Sequence, residues 1–142
     1  LYATIAYGNL DNTQARFYSL ASHMLGSDDM TIFAYAPDCF TLTYLPEWTI
    51  DLGRPLESYD RIEDYYDERL YVYTREFKNG RVFVNPGSKT GGPFYFNTPL
   101  YEVVVQGGNI PELGGDGDMF YNVVDMIEIP LLTGVIVLNE MP

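Results

Sequence analysis

The chain is short of cations. Its 142 residues carry 8 Lys and Arg against 20 Asp and Glu, for a formal net charge of −12. A nucleic-acid binder needs a positive footprint against phosphates, and this composition excludes one. Anionic membrane surfaces are disfavoured on the same ground. A neutral partner such as a carbohydrate meets no such barrier, and solubility alone accounts for surplus acid. Thiol and imidazole side chains are scarcer still, with Cys39 and His23 the single examples of each. One cysteine excludes an internal disulfide and a cysteine zinc cluster. A Cys39 thiolate nucleophile would need His23 as its base, and an exposed, non-catalytic His23 is the expectation, because it lies off the apolar stripe of its helix. No cofactor-binding pattern occurs, and no cofactor is expected. No apolar run reaches the ~20 residues that span a bilayer. The chain opens on Leu1 without a signal-peptide pattern, which suggests a processed product, an excised domain or a fragment.

Aromatic residues are abundant, with 13 Tyr and 8 Phe, alongside 13 Gly and 9 Pro. Aromatic side chains pack well on a pleated surface and favour strands, while Gly and Pro favour turns. "YATIAYGN" predicts a strand over Tyr2–Tyr7. "LDNTQARFYSLASHMLGSDD" predicts a helix capped by Asp11 or Asn12. Its Phe17, Leu20, Ala21, Met24 and Leu25 share one face, and Gly26 stands where a left-handed cap belongs. "MTIFAYAP" predicts a buried strand over Thr31–Tyr35. Strand, helix, strand is the order of a parallel α/β unit. Beyond Tyr44 the periodicity changes to strands at Trp48–Asp51, Leu70–Phe77, Val82–Asn85, Tyr101–Val105, Tyr121–Val124, Met126–Ile129 and Gly134–Leu138. This half reads as an antiparallel sandwich. Asn79-Gly80 suits a type I′ hairpin turn, with Val82 and Val84 facing one way and Phe83 the other.

Four motifs invite chemical readings. "PGSKTGG" lacks the upstream Gly and following helix of a phosphate loop and reads as a connection between strands. "GGDGDMFYN" offers Asp116, Asp118 and, further on, Asp125 as oxygen ligands for Ca²⁺, but a solvated acidic turn is the leading reading and no metal is expected. The run Asp60, Glu63, Asp64, Asp67 and Glu68 contains candidate paired carboxylates for glycosidic hydrolysis, or simply a charged connector. Trp48 and Tyr44, with Tyr35, present flat faces that suit the C–H face of a pyranose, or that pack a core.

Two stretches carry a resemblance. "NTQARFYSLASHMLGSDDMTIFAY" with "LPEWTIDLGRPLESYDRI" resembles the end of the barrel in glycoside hydrolases of the (β/α)₈ kind. "LYVYTREFKNGRVFVNPGS" with "IEIPLLTGVIVL" is similar to the C-terminal β-domain of those proteins, apart from Leu131, where the closing strand often carries a second Pro. The resemblance runs in order along nearly the whole chain. It implies a carbohydrate-related protein; an extracellular location is a separate expectation. It also implies that the catalytic carboxylates lie elsewhere, because a barrel takes ~250 residues and bears its active site at the carboxyl ends of its strands. Tyr35 and Asp38 would at most line the sugar cleft, and no residue is given a catalytic role.

The expectation is therefore a mainly β chain, an antiparallel β-sandwich preceded by a short strand–helix–strand remnant. Residues 1–45 would form the barrel end and residues 46–142 the β-domain. The carbohydrate-binding candidates are Tyr35, Asp38, Tyr44 and Trp48. The apolar stripe of the helix forfeits ~1.5–3 kcal/mol per large side chain if left in water. Residues 1–37 must then fold back on the β-domain, pair with a second copy, or dock on a missing barrel; self-association is the leading expectation. The alternatives to an accessory domain are a self-sufficient polysaccharide hydrolase and a self-assembling structural subunit.

Overall fold

A computed structural model of the chain describes residues 2–28, 31–41, 43–107 and 117–142. Three elements come first: β1 (Tyr2–Tyr7), α1 (Thr13–Gly26) and β2 (Thr31–Ala36). The two strands pair in parallel, from Tyr2 opposite Thr31 to Tyr7 opposite Ala36. Asn12 caps α1, its side chain accepting a hydrogen bond from the Ala15 N–H at 3.0 Å. The strands that follow are β3 (Tyr66–Asp67), β4 (Val72–Phe77), β5 (Gly80–Asn85), β6 (Gly91–Gly107), β7 (Gly117–Ile129) and β8 (Thr133–Leu138). They form one antiparallel sheet in the order β3-β4-β5-β8-β6-β7. The chain is thus mainly β, with the strand–helix–strand piece at its N-terminal side. No helix among the described residues is long and apolar enough to cross a membrane.

The sheet becomes two layers by bending. Tyr95 of β6 pairs with Met126 and Leu100 pairs with Val124, so five steps along β6 match two along β7. Such a bulge kinks its strand and deepens the local twist. Beyond it, Val103 and Val105 join Val82, Val84, Ile136 and Leu138 in a core covered by Phe17, Leu20, Ala21 and Leu25 of α1. Before it, Phe94, with Ile127 and Ile129 of β7, closes over Phe83, Val135 and Val137 on the opposite face. Val82 and Val84 do face away from Phe83, as the strand period requires. The helix lies close on β8 because Gly134 has no side chain: a Cβ there would fall 2.5 Å from the Phe17 carbonyl oxygen and 2.7 Å from Ala21 Cβ.

Local structure departs from expectation at several points. Trp48–Asp51 is not a strand; Pro46–Thr49 is a 3₁₀ turn that begins on proline, whose fixed φ suits a first helical position. Gly26 ends α1 in helical conformation, and Ser27 follows with extended backbone, so no left-handed cap forms. The β4–β5 hairpin turns on Lys78-Asn79, and none of residues 78–80 has positive φ, so the turn is not type I′. Gly80 serves packing instead, since a Cβ would collide with the Val137 carbonyl oxygen and press on Leu52. Residues 121–124 and 126–129 belong to one strand, and His23 is half-buried rather than exposed, its ring centroid 5.2 Å from that of Phe33.

Candidate functional site

In open parallel α/β arrangements ligands gather beyond the carboxyl ends of the strands. Here that end is formed by Gly8, whose N–H donates to the Ala36 carbonyl at 3.0 Å, and by the loop after β2. Asp38 organises the loop. Its Oδ1 accepts from the Phe40 and Thr41 N–H groups, both at 2.8 Å, and its Oδ2 accepts from the Thr41 hydroxyl at 3.0 Å. The Phe40 N–H first, and then the Thr41 hydroxyl, hold this carboxyl below the ordinary range. The loop displays Phe40, 93% exposed, beside the exposed thiol of Cys39.

The sugar-platform candidates divide. Tyr35 is 2% exposed, with its hydroxyl lodged against Gly8. Burial raises its pKa, and the nearby Arg16 guanidinium pulls the other way. Tyr44 is 54% exposed and meets Trp48 edge-on, with centroids 6.3 Å apart at 76°. Trp48 is half-buried and borders a cleft of about 280 Å³ with Leu20, His23, Met24 and Phe33. Its Nε1 is buried without a partner among the described residues. The fold therefore brings Tyr44 and Trp48 together, leaves Asp38 at the surface, and takes Tyr35 out of reach of a ligand.

The acidic candidates do not converge into an enclosed pair. Asp64, Asp67 and Glu68 border an open hollow of about 340 Å³, whereas Asp60 and Glu63 lie outside it and are exposed. Asp67 spends its Oδ1 on the Arg69 and Leu70 N–H groups at 2.9 and 3.2 Å, and Glu63 sits 3.5 Å from Arg61. Of the calcium candidates, Asp116 lies outside the described residues. Asp118 and Asp125 are both on β7, and seven residues of strand separate them by about 23 Å. Among the described residues no three His, Cys, Asp or Glu side chains cluster as metal ligands would.

Two arginines, not anticipated from the sequence, join the N-terminal piece to the sheet. Arg16 of α1 is buried against Glu47, with Nε to Oε1 at 2.8 Å and Nη2 to Oε2 at 2.6 Å. Its Nη1 donates to the Leu10 carbonyl at 2.9 Å and to that of Gly107 at the end of β6. Every nitrogen of the fork is engaged, which a buried charge requires. Arg75 of β4 does for the end of α1 what a glycine cap would otherwise do. Its Nη1 lies 3.0, 3.0 and 2.7 Å from the carbonyl oxygens of Met24, Leu25 and Ser27. The cation answers the orphan carbonyls and the negative end of the helix dipole. Tyr65 and Phe77 stack on it, each ring centroid 5.3 Å from its guanidinium carbon. A signal for Arg75 existed: Tyr73, Arg75 and Phe77 share one face of a strand, so the alternation places a cation on the core side. Arg16, one turn before Leu20 on the helix, is the same kind of signal.

Opposite the sheet, α1 meets β1 and β2 loosely. Tyr18, Ser19, Ser22 and His23 face Thr4, Ala6 and Phe33 across an open hollow of about 630 Å³. Burial lowers the pKa of His23 there. The outer face of the two strands is apolar and bare, with Ile5, Tyr7 and Ile32 56%, 58% and 52% exposed. Among the described residues each strand has a single pairing neighbour.

No protein family, curated protein or solved structure matches the chain.

Proposed function

We propose that the chain is a carbohydrate-related accessory domain of a glycoside hydrolase-like protein, whose work is to brace a (β/α) body outside the cell. The observation that carries this reading is the asymmetry of the strand–helix–strand unit. Its helix is clamped to the antiparallel sheet by Arg16, Arg75 and an apolar stripe. Its two parallel strands keep an apolar outer face and open edges. Parallel strands are normally covered on both faces, so this geometry suits a docking edge better than a finished surface. Without the larger body, a second copy of the chain is the natural occupant of the same face.

Light scattering across a concentration series tests this. The isolated chain should associate, and Ile5→Lys combined with Ile32→Lys should render it monomeric without loss of secondary structure. A chain monomeric at every concentration contradicts the docking role. Hydrolysis of a glycan by the chain alone, abolished by substituting Asp64 or Glu68, would instead favour the self-sufficient enzyme.

A further inference from the structure

The bulge in β6 borders a further hollow, of about 370 Å³, on the β-domain away from α1. Glu76, Arg81, Tyr95, Asn97, Thr98 and Leu56 are among its lining. Glu76 and Arg81 stand directly opposite each other on β4 and β5 and form an ion pair, both side chains only partly exposed. Burial lowers the Arg81 pKa, and the Glu57 carboxylate acts against that shift. Asn97 and Thr98 belong to the residues that the register shift pushes out of the ladder. Neither side chain has a partner among the described residues, so an amide and a hydroxyl are left available to a ligand. Leu56 is 58% exposed and adds an apolar wall.

We infer that this hollow is a binding subsite for one or two residues of a neutral glycan. Volumes of ~300–1,000 Å³ are usual for small-ligand sites. The donor and acceptor set selects among ligand classes. The Glu76 carboxylate and the chain's net charge of −12 oppose an anion, and the Arg81 guanidinium, with the Lys78 ammonium that also lines the hollow, opposes a cation. Sugar hydroxyls donate and accept at once, so they satisfy a guanidinium, a carboxylate and an amide together. The apolar wall complements the C–H face of a pyranose. Bulges are over-represented beside binding sites because they re-aim side chains, and this one re-aims Asn97 and Thr98. The inference rests on the carbohydrate-related half of the function proposed above, but not on the docking of β1 and β2.

The test is an amide-resolved NMR titration of the intact chain with neutral hexasaccharides (β-1,4-glucan, β-1,4-xylan, α-1,4-glucan and chitin-type), with polygalacturonate as the anionic control. At least one neutral probe should shift the amides of residues 81, 97 and 98 without changing those of α1. Arg81→Met should weaken that probe about tenfold, the worth of one lost charge-assisted hydrogen bond. Asn97→Ala, on an exposed bulge where folding is not at stake, should weaken it severalfold. Shifts confined to Tyr44 and Trp48 would overturn this subsite while leaving the carbohydrate reading intact. No shift with any neutral probe at millimolar concentration would overturn the subsite and the carbohydrate reading together, and leave the docking role to light scattering. Preference for polygalacturonate would overturn the assignment to a neutral ligand.

Discussion

The two sides of α1 are built on different terms. Toward β5 and β8 the helix offers Phe17, Leu20, Ala21 and Leu25, and it approaches so closely that only glycine fits at position 134. Toward β1 and β2 it offers two serines, a tyrosine and a histidine around an unfilled hollow. By packing, then, the helix belongs to the antiparallel sheet, although by chain order it belongs to a parallel unit. The strands β1 and β2 are held more lightly, by each other, by Phe33 against His23 and the core, and by the buried Tyr35. This resolves the question raised by the apolar stripe: the stripe finds its cover within the same chain, and the surface left for another body is the outer face of two strands.

The contrast breaks most sharply at Arg16. Arg16→Ala leaves the Glu47 carboxylate buried and unpaired and should cost about 3–5 kcal/mol in chemical denaturation. Arg16→Met with Glu47→Leu should recover most of that loss. On the packed side of the helix, Leu20→Ala should cost about 2–5 kcal/mol, whereas Ile5→Ala on the bare face should stay within about 0.5 kcal/mol in a monomeric sample. Next comes the clasp at the end of α1. Arg75→Lys keeps the charge but not the planar fork, and should cost about 1.5–3 kcal/mol, read as a lowered denaturation midpoint. The smallest effect concerns His23. Its lowered pKa means that the unfolded chain binds the proton more readily, so stability should fall as the pH drops below about 6.5. His23→Gln should flatten that part of the profile.

The elements whose signals are local were legible in the sequence. The 3.6-residue stripe of α1, its Asn12 cap and the alternation through Val82, Phe83 and Val84 depend on neighbours a few residues away. What was not legible depends on distant partners. Glu47 lies 31 residues from Arg16, and nothing near "LPEW" announces that this carboxylate will be buried. The β6 bulge arises from register with β7, where Tyr95 meets Met126, far along the chain. Gly26 looks like a cap only until a guanidinium from β4 takes over the carbonyls. Among the site candidates, Tyr44 and Trp48 are four residues apart and meet as a short turn allows. Tyr35 was bound to be ambiguous, because a strand tyrosine faces either layer and this one faces inward.

Hydrogen exchange along the chain tests the central claim most directly. If α1 is part of the antiparallel core, its amides between Leu20 and Leu25 should share the slow exchange of β5 and β8 in a dilute, monomeric sample. The amides of β1 and β2 should exchange much faster, and should slow only when their outer face is occupied. Equal protection of β1, β2 and the sheet in a monomer would show a surface that needs no cover, and would contradict the account.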